Sequence, residues 1–423
     1  MISFIKNYFK RSLRPSLRAS KYIEKEKLYA SYKPDPIDVV ITKTAGNYVW
    51  DIDKKRYLDC IAGDGALNLG HNYLKIKRTI TSQLDELTLA SVDVHNHKLG
   101  ETCRYLTNWL GYDRVVLTNN EVEASRMAIE FAKRWASAKK DVSADRARIV
   151  IASENHLGWT DDLAETGMGA AKGDRRNLFY DSNIDTIPYN DIEALEEHLD
   201  SNADIAAFMI EPIQHEEGVV MPTPDYLRQV RALCIKYNVL MVLDEATTGL
   251  GRTGRLLCQE HEVVKADMVC IGKSLSGGFM PISAVLVSHS VFECNKTRSN
   301  GSTFDGNPLA CAIVKTAVKA TVEEKLCENA ENMGNRILNK LLSSLRSVKA
   351  IKSIRGKGLM IGIEFQKNAI IDYSRIHYEL LREGTLCRKI ENNILKIMPP
   401  LLINGLEADY IHDTLSYVIN KHT

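Results

Sequence analysis

The sequence lacks several features that would place it in a specialised class of protein. It contains no apolar run near the roughly 20 residues that a membrane-spanning helix needs. Its nine cysteines include no Cys-x-x-Cys pair, so neither a disulfide framework nor a zinc site is indicated. It also lacks an excess of one charge, because 55 basic residues face 54 acidic ones. A net charge of +1 argues against a nucleic-acid-binding protein.

The eleven histidines offer no metal-binding pattern either. No His-Glu-x-x-His motif occurs, and His95 and His97 form one close pair without an evident third ligand. The stretch GLGRTG at 249–254 matches neither glycine fingerprint of nucleotide-binding loops. We therefore expect no metal ion, nucleic acid or membrane among the partners of this protein.

The first 23 residues differ from the rest in charge. They carry six basic residues, and no acidic residue occurs before Glu24. Ile2, Ile5, Phe9 and Leu13 recur at roughly helical spacing. A basic, acid-free and amphipathic N-terminal segment is typical of a mitochondrial transit peptide. The sequence therefore predicts a transit segment at 1–23 and a location in the mitochondrial matrix, with a cytoplasmic protein carrying a basic tail as the alternative.

The body of the chain alternates short apolar runs with helical patterns. The apolar runs are rich in Val, Ile and Leu, which suits a mainly parallel sheet covered on both faces. They lie at 114–118, 148–152, 204–210, 239–243, 267–271 and 282–287. Helical patterns at 123–136 and 224–238 lie between them. This alternation predicts a layered α/β domain.

A chain of 423 residues is too long for one small core, so we expect several packed regions. The large domain is predicted at 81–320. A smaller α+β domain is predicted at 321–423, with strand candidates at 358–365 and 394–398. The segment at 24–80 contains a strand-like stretch at 46–53 and is expected to pack with the small domain.

Polar residues that suit one cofactor follow these predicted strands. Asp244 ends one apolar run, Lys273 follows the next, and Thr303 stands in the glycine-containing loop GSTFDGNP. Ligands of open α/β sheets bind beyond the carboxyl ends of the strands. Pyridoxal phosphate needs a lysine, a carboxylate for its ring nitrogen and a cradle for its phosphate. The turn at 119–124 would complete that cradle with the N–H groups of a helix N-terminus.

In this order and spacing, DEATTGLGRTG (244–254), GKSLSGG (272–278) and GSTFDGNP (301–308) resemble the class III, or ω-type, aminotransferases. Further similar stretches extend over roughly residues 28 to 420, and the resemblance is greatest to the enzymes that act on ornithine. It implies a fold-type-I, pyridoxal-phosphate-dependent transferase and a homodimer with shared active sites. The implied reaction moves the δ-amino group of ornithine to 2-oxoglutarate, giving glutamate semialdehyde and glutamate.

The resemblance also implies roles for individual residues. Lys273 corresponds to the catalytic lysine that binds the cofactor covalently, and Asp244 to the aspartate that keeps the ring nitrogen protonated. The other implied cofactor-binding residues are Glu121, Val122, His156, Thr247 and, from the neighbouring subunit, Thr303. The implied substrate-binding residues are Tyr32, Asp64, Trp159, Glu216 and Lys396.

Five of these positions depart from the family pattern: Glu121 replaces a glycine, Thr247 a glutamine, Trp159 an arginine, Asp64 a tyrosine and Lys396 an arginine. A carboxylate at 121 would repel the phosphate, and Arg126 is a candidate for partial compensation. Lys396 keeps the charge of arginine but loses its fork, so a Glu216–Lys396 gate would be weaker.

These departures leave two alternatives open. Besides the reaction with ornithine, the protein could be a diverged paralogue with little or no activity and a structural or regulatory role, or an ω-aminotransferase with a different amino donor. The retained Lys273 and Asp244 favour an active enzyme, because those are the residues that the chemistry can least replace.

Overall fold

The computed structural model of the protein describes residues 15–30, 37–91, 93–155, 183–295, 301–367, 372–390 and 393–423. Three of the predicted site residues lie outside these ranges, namely Tyr32, His156 and Trp159. Most of the predicted transit segment also lies outside them. Within the described ranges, no helix combines the length and the apolar character needed to cross a bilayer.

The N-terminal part combines helices with a small antiparallel sheet. Its elements are α1 (Leu17–Tyr29), β1 (Ile41–Ala45), β2 (Tyr48–Asp51), β3 (Arg56–Asp59), α2 (Leu74–Glu86) and α3 (His97–Leu110). The strands pair antiparallel in the order β1-β2-β3. Helix α3 begins at Asn96, whose side chain accepts hydrogen bonds from the first-turn N–H groups, and it ends at Gly111 in the left-handed conformation.

A seven-stranded sheet with its helices forms the centre of the molecule. The elements are β4 (Arg114–Thr118), α4 (Glu121–Lys139), β5 (Arg148–Ala152), β6 (Ile184–Ile187), α5 (Ile192–Ser201), β7 (Ile205–Ile210), α6 (Tyr226–Lys236), β8 (Leu240–Asp244), β9 (Met268–Ile271), β10 (Ser283–Val287) and α7 (His289–Glu293). The strand order is β4-β10-β9-β8-β7-β5-β6. Only β10 runs antiparallel to its neighbours in this sheet.

The predicted layered α/β domain is therefore confirmed. All six apolar runs form strands of the central sheet, and both helical patterns form helices. Strands β7 to β10 are buried along their whole length, as expected for strands covered on both faces. The sequence did not predict β6, a strand at the sheet edge whose two end residues are buried and whose two middle residues are accessible.

The C-terminal part is the expected smaller α+β unit. Its elements are α8 (Pro308–Glu323), α9 (Leu326–Ser344), β11 (Ile351–Lys357), β12 (Met360–Phe365), α10 (Tyr373–Arg382), β13 (Thr385–Leu386), β14 (Arg388–Ile390), β15 (Ile394–Ile397) and α11 (Gly405–His422). Four strands form an antiparallel sheet in the order β11-β12-β15-β14. The fifth, β13, leaves this sheet and pairs parallel with β3.

The N-terminal segment and the C-terminal unit share one hydrophobic core. Leu58 and Ile76 pack in the same buried cluster as Ile361 and Ile411. Two further clusters cover the two faces of the central sheet. The boundaries at residues 23, 80 and 320 stay predictions.

A buried arginine joins three parts of this architecture. Arg252, in the loop after β8, is fully buried and donates hydrogen bonds to the carbonyl oxygens of Leu359 at 2.9 Å and Pro399 at 2.6 Å. It also donates to Asn68 Oδ1 at 2.6 Å. Burial lowers its pKa to about 9, while Asp59 favours the charged form. Its guanidinium therefore ties the loop to both the N-terminal segment and the C-terminal unit.

We expect Arg252→Met to lower the free energy of unfolding by about 3 kcal/mol, because three buried acceptors lose their donor. Denaturant unfolding followed by circular dichroism measures this change. Arg255→Met is the matched control, since its ion pair with Glu331 is 42% and 39% exposed and exposed pairs contribute about 0–1 kcal/mol. Equal losses in the two variants would contradict the role assigned to Arg252.

Candidate active site

The described site residues other than Thr303 lie where the central sheet meets the C-terminal unit. A cavity of about 590 Å³ opens at this edge. It is lined by Lys273, by the turn from Asn119 to Val122 and by residues 278–283. The carboxyl ends of β4, β8 and β9 lie at the same edge, because these strands run in the same direction.

Asp244 is the last residue of β8 and is only 5% exposed. Its Oδ1 accepts a hydrogen bond from the Ala246 N–H at 3.0 Å. Burial raises its pKa to about 6, and Glu121 adds to the rise, while the Ala246 N–H and the Lys273 ammonium favour the charged form. A buried carboxylate of this kind is stabilised by a cationic partner, which is what a protonated ring nitrogen supplies.

Lys273 stands two residues beyond β9, at the start of a short 3-10 turn, Lys273–Ser276. Its φ of 34° lies in the left-handed region, which is strained for a residue with a side chain. The preceding Gly272 has no room for a Cβ atom, which would lie 2.6 Å from Ser283 Oγ. This tight turn directs Lys273 into the cavity, where its Nζ lies 3.1 Å from Nε2 of His215.

His215 lies in the loop that follows β7, and its side chain is 2% exposed. Its Nδ1 is 2.9 Å from Oε1 of Glu216. Burial holds the pKa of this imidazole well below its usual value, and the positive charges of Lys273 and Lys396 lower it further. His215 is therefore neutral at physiological pH.

Four charged side chains form what we call the charge cluster: Asp64, Glu216, Arg388 and Lys396. Lys396 Nζ lies 3.1 Å from Asp64 Oδ1 and 3.1 Å from Glu216 Oε1. Arg388 Nη2 lies 2.9 Å from Glu216 Oε2, and Nη1 contacts Asp64. Two carboxylates thus bridge two cations. The predicted Glu216–Lys396 ion pair is present in this cluster, and its function as a gate stays a prediction.

The cations keep the cluster carboxylates ionised. Burial alone would raise the pKa of Asp64, but Lys396 and Arg388 outweigh burial and lower it to about 2. The pKa of Glu216 is likewise held far below its usual value, against its burial, by His215, Lys396 and Arg388. Burial in turn lowers the pKa of Lys396, which the two carboxylates oppose.

The N-terminus of α4 supplies the candidate phosphate site. The Asn120 side chain caps the helix by accepting the Glu123 N–H at 2.9 Å. The N–H groups of Glu121 and Val122 have no acceptor within a helix that begins at Glu121, so they suit an anion. Both residues line the cavity.

The Glu121 side chain opposes such an anion. Burial raises its pKa, and Glu216 and Asp64 raise it further, while Lys273 acts in the opposite direction. Arg126 is exposed on the same helix, and its predicted compensation of Glu121 stays a prediction.

Two further predicted residues differ in their surroundings. Thr247 is buried beside Gly65, the residue that follows Asp64 of the charge cluster. Thr303 is exposed in the isolated chain and is not among the residues that line the cavity. That position accords with a side chain that serves a neighbouring subunit, which stays a prediction.

The sequence did not single out His215 or Arg388. His215 directly precedes Glu216 in the stretch QHEEG, so its adjacency to an implied substrate residue was the available signal. Arg388 carries no motif. Its place depends on the register of β14 and β15, which sets Arg388 opposite Lys396.

The residues of this cavity fit pyridoxal phosphate. Lys273 points into a cavity large enough for a ring, Asp244 offers a buried carboxylate, and the first turn of α4 offers N–H groups to a phosphate. Glu121 is the one lining residue whose charge is unfavourable for that phosphate, and its raised pKa reduces the penalty.

Comparisons with known proteins agree with this geometry. A family model described as aminotransferase class-III matches residues 29–419. Ornithine aminotransferase from Plasmodium yoelii yoelii is 39% identical over 389 residues, covering 92% of this chain and 93% of the relative. The mitochondrial ornithine aminotransferase of Rattus norvegicus is 38% identical over 404 residues, covering 95% and 90%.

Among solved structures, the ornithine aminotransferase from Toxoplasma gondii ME49 has a TM-score of 0.89 to this chain at 33% identity. The match covers 98% of this chain and 97% of that structure. The predicted fold-type-I architecture is therefore confirmed.

We expect Glu121→Gln to tighten the binding of pyridoxal phosphate about tenfold at pH 8, because the variant removes a negative charge beside the phosphate. The raised pKa means that wild-type Glu121 becomes neutral as pH falls, so the difference between the two proteins should shrink towards lower pH. Absorbance titration of each protein with the cofactor, at pH 8 and then at successively lower pH, measures both effects.

Glu130→Gln is the control for this experiment, since it removes a carboxylate from the same helix away from its N-terminus. It should leave the dissociation constant unchanged. If the dissociation constant of Glu121→Gln differs from that of wild type by the same factor at every pH, the titration of Glu121 is contradicted.

Proposed function

Because the chain belongs to the class III aminotransferase family, we propose that it moves the δ-amino group of ornithine to 2-oxoglutarate, giving glutamate semialdehyde and glutamate. Its family makes it a pyridoxal-phosphate-dependent transaminase. The observation that carries the proposal is the presence of Lys273 in the cavity together with Asp244, a buried carboxylate that interacts with Lys273 and Glu121. Relatives named ornithine aminotransferase that match over nine-tenths of the chain support ornithine as the donor.

Each of the two residues has a defined task in this chemistry. Bound pyridoxal phosphate supplies a ring that takes up the electrons released when a bond next to the amino group breaks. Asp244 holds the positive charge of the ring nitrogen through its buried carboxylate. Lys273 Nζ removes a proton from the substrate carbon and later returns it, which is general acid–base catalysis.

The charge cluster suits the zwitterionic end of an α-amino acid. Arg388 can bind a carboxylate with its fork, and Asp64 can bind an ammonium group. The two side chains already contact each other, and they are 36% and 33% exposed at the cluster. Ornithine presents this ammonium and carboxylate at one end and its reacting δ-amine at the other, so this end would lie at the cluster while the δ-amine reaches Lys273.

Arg388 is also the more accessible cation for the acceptor. Its side chain is 36% exposed, whereas that of Lys396 is 2% exposed. The distal carboxylate of 2-oxoglutarate replaces Glu216 at the Arg388 fork, and Lys396 keeps Glu216 and Asp64 in place. The neighbouring strand thereby supplies the bidentate fork that a lysine at position 396 does not have.

Two finer features complete the proposal. The enzyme is a homodimer in which Thr303 completes the phosphate site of the partner, and the support is the exposure of Thr303 and of Phe304, which is 57% exposed. The enzyme lies in the mitochondrial matrix, and the support is the basic N-terminal segment together with the mitochondrial name of the rat relative.

The decisive experiment is an absorbance spectrum of the purified protein with pyridoxal phosphate, before and after ornithine is added. We expect a visible band from lysine-bound cofactor, its loss with ornithine, and semialdehyde formation when 2-oxoglutarate is present. Lys273→Ala should abolish both the band and the product.

The same experiment separates the rival functions. Absence of the band in the wild-type protein at saturating cofactor would support the inactive paralogue. A band that persists with ornithine but disappears with lysine or 4-aminobutyrate would identify a different ω-amino donor.

We expect Arg388→Gln to raise the KM for 2-oxoglutarate about tenfold or more, and to change the KM for pyruvate far less, because pyruvate lacks the second carboxylate. Steady-state kinetics with each acceptor measures the two values. Lys389→Gln is the matched control on the same strand. A larger effect of Lys396→Gln than of Arg388→Gln would assign the acceptor carboxylate to Lys396 instead.

A further inference from the structure

We propose that His215 is a positioning residue for Lys273: its neutral ring carries the proton on Nδ1 and accepts a hydrogen bond from the Lys273 amine through Nε2. The inference rests on the proposed transaminase function, which gives Lys273 its catalytic task. It adds a residue that the motif pattern of the sequence did not identify.

The hydrogen-bond geometry assigns the tautomer. Nδ1 lies 2.9 Å from the Glu216 carboxylate, which can only accept, so Nδ1 carries the proton. Nε2 then presents a lone pair to Lys273 Nζ at 3.1 Å. The opposite tautomer would place a lone pair against the carboxylate, which is unfavourable, and it could not accept from Lys273 when that amine is protonated.

Lys396 does not change this assignment. Its Nζ lies 3.4 Å from Nδ1, which is longer than its 3.1 Å contacts with Asp64 and Glu216. The ammonium of Lys396 therefore has two better acceptors than the ring. Glu216, fixed in turn by Lys396 and Arg388, orients the imidazole.

Charged groups from several elements surround this contact. His215 contacts the adjacent Glu216, Lys273 in the turn after β9 and Lys396 on β15. Among the described residues, Asp244 on β8 and Glu121 on α4 interact with Lys273, and Arg388 on β14 and Asp64 in the loop after β3 interact with Glu216. A protonated imidazole would add a third positive charge beside Lys273 and Lys396, which explains why the ring stays neutral there.

The contact has a consequence for proton transfer. Lys273 becomes an ammonium ion when it takes the substrate proton, and a neutral acceptor at 3.1 Å stabilises that charge. The same hydrogen bond fixes Nζ at the cavity wall between successive transfers. Removal of the acceptor should therefore lower kcat with little change in KM, and it should leave the Lys273 amine more accessible to an electrophile.

Two isosteric variants separate the two ring nitrogens. In His215→Gln the amide can reach the position of Nε2 and accept from Lys273, whereas in His215→Asn the amide reaches only the position of Nδ1 and keeps the Glu216 contact. His215→Leu removes both contacts. His261→Leu is the control, because this histidine contacts the Thr253 carbonyl at 3.0 Å outside the cavity.

The first measurement does not depend on turnover. The protein without cofactor is treated with an amine-reactive label across pH, and labelling of Lys273 is quantified by mass spectrometry, with Lys273→Ala as the blank. At neutral pH we expect about tenfold faster labelling in His215→Asn and His215→Leu, because no hydrogen bond to the ring then holds the Lys273 nitrogen. His215→Gln and His261→Leu should stay within about threefold of wild type.

The second measurement is the kcat for ornithine, which should fall about tenfold in His215→Asn and His215→Leu and recover in His215→Gln. Labelling rates and kcat values that are equal in His215→Asn and His215→Gln would overturn the proposal, and that comparison remains valid if the leucine variant does not fold. If wild type binds no cofactor, the transaminase function fails, while the labelling experiment still decides the contact between His215 and Lys273.

Discussion

Burying the ammonium group of Lys396 is the constraint on which the site depends. Its side chain is 2% exposed in the middle of the C-terminal sheet, and an unpaired charge there would be very unfavourable. Asp64 and Glu216 supply the compensating charges at 3.1 Å each. Two carboxylates at one ammonium leave excess negative charge, which Arg388 neutralises. Each charged side chain of the cluster therefore compensates the charge of another member.

The same constraint extends to Lys273, the lysine that we propose to be catalytic. Once Glu216 is fixed by two cations, it accepts a hydrogen bond from the Nδ1–H of His215, and the ring then faces Lys273 with its other nitrogen. Lys273 belongs to the central sheet, whereas Lys396 and Arg388 belong to the C-terminal unit. A series of hydrogen bonds and ion pairs thus links the position of the catalytic amine to the docking of the two units, to which Arg252 also contributes.

The sequence could predict the parts of this arrangement that depend on local pattern. Continuous apolar runs marked six strands of the central sheet, and Asp244 and Lys273 followed two of them. Strand β6 was not predicted because its four residues lack a continuous apolar run. The sequence did not identify His215 and Arg388 as site residues for a different reason. Their importance arises from contacts between segments that are distant in the sequence. Arg388 meets Glu216 only because β14 pairs with β15 in one register, and no motif records that pairing.

The departures from the family pattern are better understood together than singly. The resemblance predicts a tyrosine at Asp64 and an arginine at Lys396. The first change would, alone, put a second carboxylate beside Glu216, and the second would, alone, leave the site without a bidentate donor. With Arg388 present, the extra carboxylate is paired and a fork is restored at the same place. Substitutions that accumulate without selection would not preserve the charge balance of a half-buried pocket. The mutual compensation of these residues therefore favours a catalytic site adapted as a unit over one that no longer functions.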